Sequence, residues 1–139
     1  MYTYDVQYPE FAWDQVKEMG PIDAGGAIAA FRKFPFRELI AKADSLGPEW
    51  TAPTISFRSK SDGATLSYCM RAADYPEIYM ESEGETVTVG PVDERIMIEA
   101  IESFFSGGRS DLYERLASHP AAVTQRGLWK RVKSLFSGK

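Results

Sequence analysis

Between Thr54 and Val89, apolar and polar residues alternate in four short runs. That spacing sends successive side chains to opposite faces of a β-strand and does not produce the stripe of a helix. The last two runs meet at Glu83-Gly84 within EIYMESEGETVTV. A residue-Gly pair flanked by alternating runs predicts a two-residue hairpin turn, because glycine takes up positive φ without steric penalty. The turn sets a register: Ser82 faces Glu85, Glu81 faces Thr86, Met80 faces Val87, Tyr79 faces Thr88 and Ile78 faces Val89. Ile78, Met80, Val87 and Val89 then share one face, and Glu77, Tyr79, Glu81, Thr86 and Thr88 the other. A slip of one residue would turn the apolar set outward.

The two earlier runs fit the same sheet. In Thr54–Arg58, Ile55 and Phe57 point to the apolar side. In Thr65–Arg71, Leu66, Tyr68 and Met70 do so, while Cys69 and Arg71 point to the polar side. Ser61-Asp62-Gly63 supplies turn chemistry between them. A loop at Ala73-Asp74-Tyr75 would bring Arg71 opposite Glu77, a cross-strand ion pair of about 0.2–1 kcal/mol. At the N-terminus Tyr2, Tyr4, Val6 and Tyr8 alternate with polar residues, which predicts a fifth strand.

Helical patterns flank these strands. Pro9 suits a first helical turn and Gly20-Pro21 an end, with Phe11, Ala12, Val16 and Met19 as an approximate stripe. Asp23 is placed to cap a helix through Ala27–Lys33, which Phe34-Pro35 interrupts. A second helix from Phe36 to Leu46 aligns Phe36, Leu39, Ile40, Ala43 and Leu46. After the sheet, Asp93 caps a helix whose buried stripe is Met97, Ala100, Ile101, Phe104 and Phe105. Ser110 is placed to cap a short helix that ends at Pro120. The expected architecture is α+β: an antiparallel meander of four to five strands with helices packed on one face. Residues 1–120 make one such domain, and residues 121–139 a basic amphipathic C-terminal helix or tail.

A length of 139 residues suffices to bury a core without disulfides or metals. No stretch of about 18 apolar residues is present, so no transmembrane helix is expected. The start MYTYDVQYPEF has neither a basic segment nor an apolar core, so no secretory signal is expected. With a single cysteine, Cys69, the chain is read as cytoplasmic.

The net charge of −4 conceals an asymmetry. Residues 1–120 carry 20 acids and 11 bases, whereas residues 121–139 carry five bases and no acid. Within residues 74–102, nine acids stand against Arg95 alone. So acidic a sheet would repel phosphate, which argues against nucleic acid and for a basic partner. With one His (His119) and one Cys, no His/Cys zinc set can form within the chain, and no acids fall at calcium-loop spacing. No metal and no cofactor is expected. Cys69 has no sequence-near base and is read as a packing residue, and His119-Pro120 as a helix end. The glycine pairs Gly25-Gly26 and Gly107-Gly108 lack the context of a phosphate loop.

These readings converge on a non-catalytic protein-binding module. Glu77, Tyr79, Glu81, Glu83, Glu85 and Glu94 are the residues expected to dock a basic protein, with Tyr79 as aromatic anchor. Small acidic neutralisers such as immunity proteins or inhibitors share this profile, a likeness of composition alone. The alternative is a peripheral membrane or assembly component. It uses the C-terminal helix, where Trp129 and Phe136 flank Lys130, Arg131 and Lys133; the same helix can instead dock on the acidic body. A small enzyme with a carboxylate or tyrosine site on the sheet is a third class, for which no acid, base and nucleophile set can be named.

Overall fold

The computed structural model describes residues 1–126. In chain order the elements are β1 (Tyr2–Gln7), β2 (Lys17–Pro21), α1 (Ala24–Lys33), α2 (Phe36–Ala43), β3 (Thr54–Ser59), β4 (Thr65–Met70), β5 (Pro76–Ser82), β6 (Glu85–Val89), α3 (Glu94–Phe105), α4 (Arg109–Ala117) and β7 (Ala122–Arg126). A 3-10 turn, Asp44–Leu46, extends α2. The strands form one antiparallel sheet of seven, in the order β2-β1-β3-β4-β5-β6-β7. The class is the α+β layout expected, but the sheet is wider than the four to five strands read from alternation.

The centre of the sheet follows its local pattern. The β5–β6 register is the one the turn dictates, from Ser82 opposite Glu85 to Ile78 opposite Val89. Both turn residues are left-handed, Glu83 at φ 53° and Gly84 at φ 78°, which matches the twist of the flanking strands. Ile55, Phe57, Leu66, Ile78, Met80, Val87 and Val89 are all buried beneath the helices. Met97, Ala100, Ile101 and Phe104 of α3 complete that layer, as their spacing predicts. Asp23 and Asp93 are N-caps: their Oδ1 atoms accept hydrogen bonds from the amides of Gly26 at 2.7 Å and Ile96 at 3.0 Å.

The edges depart from expectation. Residues 9–20 form no helix; they loop out and return as β2, paired along β1 with a bulge at Tyr4/Asp5. The stripe Ala12, Val16 and Met19 is exposed, and Trp13 is 84% exposed, so this pattern met no core. The Gln7 side-chain amide holds the loop by donating to the carbonyls of Trp13 (2.9 Å) and Gln15 (3.0 Å), and the Thr51 hydroxyl donates to Phe11 O at 2.7 Å. At the opposite edge, Ala122–Arg126, assigned to the tail by sequence, pairs with β6 as β7. The sheet therefore runs past residue 120. Leu46, expected on the buried face of the second helix, is exposed because the chain tightens into the 3-10 turn at Asp44. α4 begins at Arg109, and Ser110 does not cap it.

Candidate functional site

All four helices lie against the face that bears Phe57, Tyr68 and Met80. The other face carries no described element. Its rows follow from the register. One runs Asp5, Ser56, Ser67, Tyr79, Thr88 and Val123; the next runs Thr3, Arg58, Thr65, Glu81, Thr86 and Gln125; a third joins Gln7, Thr54, Cys69 and Glu77. The middle of the face is lined by small hydroxyls, with Ser56 and Ser67 oxygens 2.7 Å apart. Ser56, Ser67 and Thr65 are themselves buried, so Tyr79, Thr86 and Thr88, which are part-exposed, are what the centre of this face presents.

The charges on this face are partly spent on one another. Asp5 is buried and accepts from Arg58 Nε at 3.2 Å. Glu77 is only 8% exposed, and its sealed Oε1 is compensated by the guanidinium of Arg71. The pair is the one expected, although Cys69, not Arg71, lies directly opposite Glu77 in the ladder. Gly90 makes room for it: a methyl group there would come within 2.6 Å of Glu77 Cγ. Tyr79 is half-buried and donates from its hydroxyl to Glu81 Oε2 at 3.1 Å. Burial, then the hydrogen bond to Glu81 and the charge of that carboxylate, push Tyr79 up to about 12.

The six residues expected to form one acidic surface are thus divided. Glu77, Tyr79 and Glu81 share the open face, and Glu83 sits exposed at the adjoining hairpin tip. Glu85 is in phase with Val87 and Val89, so it projects to the helix side at the sheet's end. Glu94 also lies on the helix side, in the first turn of α3, 3.8 Å from Arg32. The expectation that it continues the open face is corrected by the position of α3 over the other one. Trp129, Lys130, Arg131, Lys133 and Phe136 lie outside the described residues.

Cys69 is not an activated thiol. Burial first, then the charge of Glu77, push it from its ordinary 9.0 up to about 11, and Arg71 opposes this only in part. Folding therefore strengthens proton binding at this thiol. Above about pH 9 the unfolded chain loses the Cys69 proton while the folded chain keeps it to about pH 11, so stability falls with rising pH across that window. Tyr68 and Tyr79, both pushed up to about 12, extend the fall above pH 10. Urea midpoints are expected to hold level from pH 7 to 8.5 and then decline; Cys69→Ala should remove the portion between about 9 and 10, make that between 10 and 11 shallower and leave the later one.

Sequence reading missed a second feature. A cavity of about 640 Å³ opens where α1 turns into α2, bounded by the β4–β5 loop and the loop leading into α3. Its wall is aromatic: Phe31 and Phe36 meet the ring of Tyr68 edge-on at 4.8 and 5.0 Å, and Phe34 meets Phe36 at 4.6 Å. The signal was the run Phe31-Arg32-Lys33-Phe34-Pro35-Phe36. It reads as a helix break, yet a break between two packed helices is also where a cavity forms. Among the described residues no three His, Cys, Asp or Glu side chains converge as a metal-binding group, and no helix is long and apolar enough to cross a membrane. The chain matches no family model, no curated protein and no solved structure.

Proposed function

We propose that this protein is a non-catalytic binding module that docks a basic protein partner on the open face of its sheet, centred on Tyr79, Glu81 and Glu83. The observation that carries the reading is the distribution of uncompensated charge on that face. Asp5 and Glu77 are matched by Arg58 and Arg71 within the fold. Glu81 is held by a tyrosine hydroxyl, and no described cation pairs with it or with Glu83. The negative field therefore gathers at the β5–β6 hairpin, beside the part-exposed side chains of Tyr79, Thr86 and Thr88. Tyr79 is suited to an anchoring role, because its hydroxyl is already oriented and little side-chain freedom is lost on binding. The wider molecule supports the same sign of partner: residues 1–126 hold 20 acids and 12 bases.

The test compares two baits, the wild-type chain and Glu81→Lys/Glu83→Lys, in extracts of the native cell at low salt, with the retained proteins quantified by mass spectrometry. A basic protein held by the first and lost from the second is then purified. Its association rate is expected to fall about tenfold on charge reversal, with a flatter salt dependence. Equal association rates for the two baits would remove the open face as the docking surface.

A further inference from the structure

The aromatic cavity beside α1 and α2 lies on the helix side of the sheet, away from the hairpin, and has features of a separate site. Tyr68 is 5% exposed, deep enough that its hydroxyl needs a hydrogen-bond partner. No described group supplies one, and the oxygen is not sealed off. The residue lines the cavity, so a hydrogen-bonding partner for that hydroxyl reaches it from that space. A volume of about 640 Å³ falls in the range of small-ligand pockets.

The sign of the ligand follows from the rim. Glu38, Asp74, Asp93 and Glu94 border the cavity, against Arg32 and Arg37. Arg32 is engaged with Glu94, and Asp93 spends one oxygen on the cap of α3. Two negative charges remain in excess. Tyr68 registers the balance: burial first, then the nearby charge of Glu94, raise it to about 12, and Arg37 offsets only part. Its oxygen thus stays neutral and available as an acceptor.

We infer that the cavity binds an organic cation, a primary ammonium or guanidinium group on an apolar stem. The stem lies against the phenylalanine wall and the N–H groups donate to Tyr68 Oη and to the carboxylates of the rim. This site does not depend on the open-face reading, and its occupant is either a free amine or a basic side chain of a partner.

The experiment titrates the full chain with agmatine, with N-acetyl-argininamide and with glutarate as an anionic control, followed by amide and aromatic NMR shifts. Saturable shifts at Tyr68, Phe31 and Phe36 are expected with both cations and not with glutarate. Tighter binding of agmatine identifies a free amine as occupant, and tighter binding of N-acetyl-argininamide identifies a side chain. Tyr68→Phe keeps the ring and removes the oxygen, and should weaken the cations roughly tenfold, the size of a hydrogen bond to a charged group. Asp74→Asn/Glu38→Gln should weaken them two- to fivefold, about the scale of exposed charge pairs. Glu81→Lys/Glu83→Lys should leave cation binding within about twofold of wild type, because Glu81 lies on the opposite face of the sheet and both acids follow Ile78, the ladder partner of Tyr68, by three residues or more, where salt screens them. The inference is overturned if glutarate binds as tightly as the cations, if neither cation gives saturable shifts, or if Tyr68→Phe binds them as well as wild type does.

Discussion

Arg109→Met is expected to destabilise the domain by about 2 kcal/mol, the scale for losing the hydrogen bonds of a charged, part-buried donor. Arg109 opens α4, and its side chain is only 13% exposed. Nε donates to Asp62 Oδ2 at 3.1 Å in the β3–β4 turn, Nη2 donates to the Tyr2 hydroxyl at 2.9 Å, and Nη1 donates to the carbonyl of Phe104 in the last turn of α3. The guanidinium also stacks over the Phe104 ring, 4.1 Å from its centroid. One planar fork thus ties β1, the β3–β4 turn, α3 and α4 together. It adds a charged donor to a helix-end carbonyl that also accepts from the Gly107 amide at 3.3 Å and the Tyr2 hydroxyl at 3.2 Å. Methionine keeps the stem and removes the charged donor, while Phe104 O keeps the Gly107 amide and Asp62 keeps the Ala64 amide. Lysine should recover less than half of the loss, because its three N–H donors sit on one nitrogen and cannot span acceptors that the guanidinium reaches from Nε, Nη1 and Nη2.

The same substitution carries a pH signature. Burial alone would raise Asp62, but hydrogen bonds from Ser59 and the Ala64 amide and the charge of Arg109 together hold it below its ordinary 3.8. A carboxylate lowered in the fold contributes stability above its unfolded pKa and loses it as the pH falls through the folded one. Urea midpoints of the wild type should therefore drop below pH 4, and those of Arg109→Met should drop less steeply. A loss under about 0.5 kcal/mol at pH 7, within the range of ordinary surface changes, would show that Arg109 does not tie these elements together.

The second large effect is expected at Phe57, which is fully buried in the middle of β3. Its neighbours in the ladder are Tyr4 of β1 and Leu66 of β4. Its ring stacks with Tyr4 at 6.1 Å between centroids and meets Phe105 of α3 edge-on at 5.9 Å. Phe57→Ala should cost about 3–5 kcal/mol, the sum of the lost transfer energy and the cavity left behind. Phe57→Leu should cost about 1 to 2 kcal/mol, since most of the volume is retained. Both follow from urea unfolding at constant slope. A fall in slope with Phe57→Ala would mean that part of the sheet has opened in the native state, and the difference would no longer measure packing alone.

Much of the central fold was legible in the residues, because alternation is a local property. Ile55, Phe57, Leu66, Ile78, Met80, Val87 and Val89 each declare their face through the residue on either side, and Glu83-Gly84 declares the register. The candidate site was legible only in part. Tyr79 and Glu81 share a face with Glu77 by parity alone. Parity also placed Glu85 on the helix side, and counting acids along the chain concealed it. No count of charges reveals that Glu77 and Asp5 are already matched by arginines. Arg58 reaches Asp5 from the neighbouring strand, 53 residues away in the chain.

The hairpin at Glu83-Gly84, the faces of β3 to β6, the caps at Asp23 and Asp93 and the stripe of α3 were determined by sequence alone, since each needs only interactions within a few residues. The two edge strands were decided by tertiary structure. Lys17–Pro21 and Ala122–Arg126 have little apolar alternation, and the unpaired backbone groups of β1 and β6 recruited them. The cavity at Tyr68 was decided in the same way. Its aromatic wall and its acidic rim come from separate stretches of chain, and only packing α1, α2 and the β4–β5 loop around one end of the sheet brings them together.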